Sequence, residues 1–367
     1  MKPNCEMIAG SDVEHLQQIY TGFARLHHKG KITLRQTIPS EAKKARGADR
    51  WVNYKFFNTT VIINGTTRVC YDTHDWNWID EEILAECDFY FKRSYDPSFI
   101  STLEHDSKVF PLGLNYQVAN SEFDIFKLKR AAFYSGKDRI KATLKGLRID
   151  SLLRQRETER IDNLEAGPDP DIEPRVLFMA RAWNPEKIES KKQKSAVEAI
   201  NETRAKCIEV LRKELGDKFY GGLAHDDYSK KYFSNALLTD DSSSSKRNYL
   251  EILKRYPICV ATVGLNGSNG WKLAEYVAHS KAIMSEPLVY QVPGKFEAGQ
   301  NYIEFSDADD LAASAVKLIE DKTLRSEIMA NNFAYYNSHV RPDAMIANSL
   351  NVVLKHTGSP GEIVIDR

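Results

Sequence analysis

The stretch from Ile258 to Phe305, ICVATVGLNGSNGWKLAEYVAHSKAIMSEPLVYQVPGKFEAGQNYIEF, holds the densest set of residues suited to gripping an anion. An apolar run of strand length, ICVATV, leads into a Gly/Asn/Ser turn from Gly264 to Gly270 and then into a helical pattern that starts near Trp271. In a parallel sheet such a turn sits at the carboxyl edge, and the helix after it opens with unpaired N–H groups and a partial positive charge. Gly267 and Gly270 let backbone amides approach a phosphate without a Cβ in the way, with Ser268, Asn269 and Lys272 beside them. Glu275, about one turn in, is placed to accept hydrogen bonds from sugar hydroxyls. On spacing alone a tight connection explains the turn equally well. It matches neither GxGxxG nor the Walker A pattern, which counts against dinucleotide dehydrogenases and P-loop enzymes.

A second group lies in the first half. HDWNWIDEE follows the strand-like RVCYD and puts Asp72, His74 and Asp75 at a strand end, where they would serve as a general base or bind acceptor hydroxyls. The competing use is capping of a helix that begins near Ile79. Lys92 and Arg93, after the apolar FYF, either aim cations at a phosphate-bearing acceptor or are surface charge; Asn115, in the turn PLGLNY, is a further acceptor-binding candidate. Trp76, Trp78 and Trp183 would stack on sugars or simply pack. Asp307-Ala308-Asp309 spells DxD but opens a helix, where capping already favours acids, and Asp240-Asp241 lies in a Ser-rich stretch, so no metal site is expected. The basic stretch Lys137 to Arg160, with Leu144, Leu147, Ile149, Leu152 and Leu153 along it, reads as a solvated helix or as one lying on an anionic membrane surface.

The elements that must position these groups fit a chain of 367 residues, long enough for two domains with separate cores. Between them EAGPDPDIEP, with prolines at 168, 170 and 174, reads as a linker. Downstream, RVLFMA, KFYGGL, ICVATV, AIMSE and YIEF read as strands. They alternate with helical patterns from Ser195, over RNYLEILKRY, over GWKLAEYVAH and from Asp307 to Glu320. Strands alternating with helices mean a parallel, Rossmann-like sheet covered on both faces. The apolar positions Ala196, Ile200, Ile208, Val210, Leu211 and Leu215 mark the face of the helix from Ser195, and the Ser run at 242–245 is expected to be a mobile surface loop. Upstream, KITLRQ, TTVIIN, RVCYD, FYFKR and KVFPL read as strands and Ile79 to Glu86 as a helix, with Asn64-Gly65 as a hairpin signal. The 51 basic and 51 acidic residues cancel, which argues against a dedicated nucleic-acid binder. The five scattered cysteines argue against disulfides and zinc. The start lacks the apolar core of a signal peptide, so the cytosol is the expected location.

The second half also resembles the donor-binding half of GT-B glycosyltransferases, in particular bacterial enzymes related to glycosyl transferases group 1. KLAEYVAHSKAIMSE is similar to that family's Glu-bearing helix, small-residue turn and strand; FMARAWNPEK resembles its opening strand and turn; AGQNYIEFSDADDLAASAVKLIED resembles its later strand, acidic turn and helix. The resemblance implies an α/β fold with two Rossmann-like domains facing a central cleft: an acceptor domain over 1–165, a nucleotide-sugar domain over 171–337, and a helix in 338–367 crossing back. It implies metal-independent transfer of a hexosyl group from a nucleotide-diphosphate sugar to a glycan or lipid-linked acceptor, with no other cofactor. Glu275 would hold the ribose, and Arg181 and Lys187 would meet the diphosphate. The sequence departs from the family at Gly267, where many members carry a second Glu near the reacting sugar, and this leaves the stereochemistry open. A nucleotide-sugar epimerase and a noncatalytic sugar-nucleotide-binding protein are the rival readings.

Overall fold

The computed structural model describes residues 2–39, 57–153, 157–188, 190–359 and 361–365. The chain forms two compact units. The first gathers residues 1–164, 291–294 and 337–367, and the second 165–290 and 295–336. Residues 291–294, expected within the second domain, thus belong to the first unit, where the Gln291 N–H donates to the Tyr95 carbonyl (2.9 Å).

The first unit is built on a six-stranded sheet: β1 (Asn4–Ile8), β2 (Thr33–Thr37), β3 (Asn58–Ile63), β4 (Thr67–Asp72), β5 (Phe89–Lys92) and β6 (Val109–Pro111), in the order β2-β1-β3-β4-β5-β6. Only β3 runs against its neighbours. The reason lies in two residues: Asn64 and Gly65 both take positive φ (53° and 78°), the two-residue turn that closes a right-twisted hairpin. The other strands end at one edge, so Asp72, Lys92 and the loop after Pro111 come together there. The helix Gln17–His28 covers one face of the sheet together with the helix Pro342–His356. The two touch at Gly22, where a Cβ would fall 2.3 Å from the Pro342 carbonyl oxygen. Asp343, wholly buried at the start of the last helix, gathers Lys29 (2.7 Å), Arg341 (2.9 Å) and Arg25 (3.6 Å).

The second unit carries five parallel strands: β7 (Val176–Ala180), β8 (Phe219–Leu223), β9 (Ile258–Ala261), β10 (Ala282–Ser285) and β11 (Tyr302–Glu304), in the order β11-β10-β9-β7-β8. Every residue of β7, β9 and β10 is buried, as continuous apolar runs covered on both faces should be. The α/β class and the Rossmann-like character of the halves are as expected. Two local expectations fail. The buried stripe of the helix Lys191–Leu215 runs through Val197, Asn201, Arg204, Ile208, Leu211 and Leu215, while Ala196 is exposed and Ile200 half-buried. The Ser run is folded, because Asp240 caps a 3-10 turn over Asp241–Ser244, Ser243 is buried, and Ser245 caps the helix Lys246–Lys254. All five cysteines are free and buried.

Candidate functional site

In the second unit the loops after β7 and β9 and the helix Trp271–Ala278 supply the polar groups of the site. The turn after β9 is a 3-10 turn over Leu265–Gly267 in which Asn266 and Gly267 take positive φ (57° and 73°), conformations that Asn and Gly tolerate best. Gly264 closes the loop by donating to the Ser268 carbonyl (2.8 Å). A Cβ on Gly264 would meet the Ser268 hydroxyl at 2.4 Å. Gly270 then begins the helix with no side-chain cap, so backbone donors remain at its start.

Glu275 sits one turn in, only 3% exposed, and accepts from the ammonium of Lys246. Burial by itself would raise its pKa; the nearby charges of Lys246 and Lys272 outweigh burial and hold the carboxyl below its ordinary range. Lys272 lies over the Tyr249 ring, 3.8 Å from its centroid. Burial, with the like charges of Lys246 and Arg181, overcomes the pull of Glu275 and brings its pKa down to about 8. Arg181, exposed just after β7, therefore acts on the same small region. Lys187 is also exposed, at the end of a 3-10 turn that Asn184 caps.

Two residues that the sequence reading passed over fix these loops. Arg204, 7% exposed, donates from its three guanidinium nitrogens to the Arg181 carbonyl (2.8 Å), the Val263 carbonyl (3.0 Å) and the Thr262 hydroxyl (3.0 Å), and its head lies 4.4 Å from the Trp183 ring centroid. It ties the loop after β7 to the loop after β9. Asn201 grips Trp183 from both sides, accepting from its N–H (3.0 Å) and donating to its carbonyl (2.8 Å). The signal was present: Asn201 and Arg204 are the polar members of an otherwise apolar stripe, and a buried Arg needs several acceptors.

In the first unit, the carboxyl ends of β4 and β5 bring Asp72, His74, Asp75, Lys92 and Arg93 together. Asp72 and Lys92 are wholly buried and paired at 2.8 Å, and the same carboxylate accepts from the Tyr90 hydroxyl (2.6 Å) and the His74 N–H (2.8 Å). These bonds correct two expectations. Asp72 is an anchor with its oxygens committed, not a base, and Lys92 is too deep to meet an acceptor. Asn115 is corrected likewise: 1% exposed, it spends its amide on the His15 carbonyl (3.1 Å) and the Gln18 side chain (3.0 Å).

Asp75 stays reachable, its side chain 34% exposed. Burial would raise its pKa, but Arg93, its ion-pair partner, and His15 hold it far below the usual carboxylate range. His15, from the loop after β1, places Nε2 3.8 Å from Asp75, and burial lowers its pKa. Burial takes His74 down to about 4, so both imidazoles are neutral at neutral pH. Capping of the next helix falls to Asp80, which accepts from Glu82 and Ile83, and this frees Asp75 from that role.

In the turn of the second unit, Ser268 and Asn269 are buried at 4% and 6%, and the Asn269 amide donates to the Tyr290 carbonyl (3.1 Å). They shape the loop, and the Gly267 and Ser268 N–H groups are spent inside it on the Gly264 (3.2 Å) and Leu265 (3.1 Å) carbonyls. This corrects the expectation that the Gly267 amide meets a phosphate and leaves the Gly270 end of the turn and Lys272 for that role. Asp307 of the DxD sequence caps the helix Ala308–Glu320 by accepting from Asp309 and Asp310.

No protein-family model matches the chain. No curated protein matches it in sequence. Solved structures similar to it include the C-terminal domain of the glycosyl transferase group 1 family protein LpcC from Francisella tularensis, at 12% identity over 48% of this chain and 95% of that one, TM-score 0.33. HepE from Anabaena, in complex with UDP, is 11% identical over 92% of this chain and 95% of that one, TM-score 0.37. A Listeria monocytogenes protein assigned as a UDP-N-acetylglucosamine 2-epimerase is 11% identical over 78% of this chain, which spans 65% of its length, TM-score 0.36. At this distance the likeness decides nothing about the chemistry, which rests on the chain's own residues.

Proposed function

We propose that the chain is a glycosyltransferase that binds a nucleoside-diphosphate sugar in its second unit and a hydroxyl acceptor, a glycan or a lipid-linked saccharide, in its first. The observation that carries this reading is the cluster at an uncapped helix start, where a buried, ionised carboxylate, Glu275, is held by Lys246, with Lys272 close by and Arg181 bearing on Lys272. A carboxylate there suits ribose hydroxyls, and the cations and N–H groups suit a diphosphate. As the acceptor oxygen bonds to the anomeric carbon, the bond to the diphosphate breaks and negative charge grows on the leaving group. Arg181, Lys272, the helix start and, from its exposed turn, Lys187 stabilise that charge, so the transfer of a hexosyl unit needs no metal. The acceptor proton goes to the carboxylate of Asp75, the reachable member of the group, with Arg93 and the buried His15 holding it in place.

The test is a thermal-shift series with UDP, GDP, ADP, CDP and dTDP in EDTA, followed by labelled donors. A nucleotide at about 100 times its dissociation constant adds roughly 2.7 kcal/mol to the folded state. No shift with any of the five would refute the donor site. A labelled sugar released or transferred supports the transferase, whereas a new sugar isomer with no acceptor makes the protein an epimerase.

A further inference from the structure

We propose that the first unit docks on an anionic lipid surface through the helix Gly136–Gly146 and the chain beside it. Twelve large apolar side chains are exposed among the described residues, and five of them fall within one short stretch: Phe123 (49%), Ile125 (38%), Ile140 (61%), Leu147 (40%) and Ile149 (44%). They form a patch because the segments that bear them are tied together. The Arg148 guanidinium donates to the Glu122 carbonyl (2.8 Å), which sets Leu147 and Ile149 beside Phe123. Gly146 lies so close to the helix Ile125–Arg130 that a Cβ on it would come within 2.9 Å of the Leu128 Cα.

On the helix itself Ile140, Leu144 and Leu147 follow one another at i, i+4 and i+7, a single stripe. On the other side of the helix Asp138, Lys141, Ala142 and Lys145 line a cavity of about 630 Å³ together with Tyr134 and Leu153. Ile140 and Leu147, at the two ends of the stripe, are exposed while Leu144 between them is half-buried, so much of the apolar side is turned to solvent, and a surface helix in that state lacks the usual reason for the pattern.

The charges around the patch select the occupant. Lys129, Lys137 and Arg139 are exposed there against the exposed acids Glu122 and Asp162, the latter tied through its N–H to the Ser121 hydroxyl (3.3 Å), while Asp138 and Lys141, 4.0 Å apart on the helix's other flank, offset each other. The excess is local, since the whole chain is neutral. A second copy of the chain, meeting this face through a two-fold axis, would set these cations against their own equivalents. A bilayer with anionic headgroups offers both what the apolar side chains need and the opposite charge.

The inference is independent of the donor site, so it is tested without nucleotide. The full chain is floated with vesicles of phosphatidylcholine alone and with vesicles in which about a third of the lipid is phosphatidylglycerol. Binding is expected to the second and not the first, and to weaken as salt screens the headgroups. Ile140→Ser with Leu147→Ser, and separately Lys137→Glu with Arg139→Glu, should each cut the bound fraction at least about tenfold. All four side chains are exposed, so the thermal midpoint should stay at the wild-type value, and any variant that misses it is replaced by the single substitution that keeps it. No binding to anionic vesicles, or binding that both variants retain, overturns the proposal. So does a sedimentation-equilibrium dimer that Ile140→Ser with Leu147→Ser dissolves.

Discussion

At the scale of single residues, Lys272 makes the candidate donor site sensitive to pH in a stated direction. Its pKa, about 8 in the free protein against an ordinary 10.5, is lowered chiefly by burial. A bound diphosphate favours the ammonium and raises that value, so nucleotide binding should take up a proton near pH 8 to 9. Affinity is then level below about pH 8 and falls above it, by up to about tenfold per unit until the pKa of the complex is reached. Titration calorimetry of a nucleoside diphosphate in buffers of different ionisation heat measures both effects, and Lys272→Met should abolish them. The sign for the free protein is opposite: between about pH 8 and 10.5 the unfolded chain binds the proton and the folded one does not, so this group adds stability as pH rises through that window. Much of this site was legible in the sequence, because the GLNGSNG turn and Glu275 sit in consecutive strand, turn and helix. The partners of Glu275 and Asp72 were not. Lys246 and Lys92 come from other elements, and only the register of β4 on β5, with Asp72 opposite Lys92, shows that one carboxylate and one ammonium are buried as a pair.

Among the elements, the helix Lys191–Leu215 does more than cover the second sheet. Arg204 donates to acceptors on both strand-end loops, and no other side chain has its planar fork. Arg204→Lys should leave at least one buried carbonyl without its donor, at a cost of about 1–3 kcal/mol. It should also lower nucleoside-diphosphate affinity, because Arg181 and the turn after β9 lose their common anchor. Urea unfolding measures the first effect and calorimetry the second. A variant with reduced stability and full affinity would make Arg204 a packing residue only. Long apolar runs, the Asn64-Gly65 turn and the caps made most elements readable from sequence. The strand β1 escaped because NCEMI alternates: Cys5 and Met7 are buried while Asn4 is exposed, so no apolar run marks it. The stripe Val197, Asn201, Arg204 escaped because two of its buried members are polar.

For the whole molecule, the first unit is assembled from both ends of the chain. Met345, Ile346, Leu350, Val353 and Leu354 of the helix Pro342–His356 are at most 4% exposed and share a core with Phe23 and Tyr71. Each contributes roughly 1.5–3 kcal/mol by burial. Together they rival the ~5–15 kcal/mol that holds a typical domain folded. Deleting residues 337–367 should therefore leave residues 1–164 open to protease while 165–336 stay protected, as limited proteolysis with mass spectrometry would read.

The return of the chain to its starting unit also sets a calendar for synthesis. Residues 1–164 leave the ribosome first, yet the helix that seals their core against Gly22 emerges only after the whole of 165–336. The second unit can thus close while the first still waits with an apolar face uncovered. In the cell the part made first is finished last, and it is the part that most needs a chaperone in the meantime.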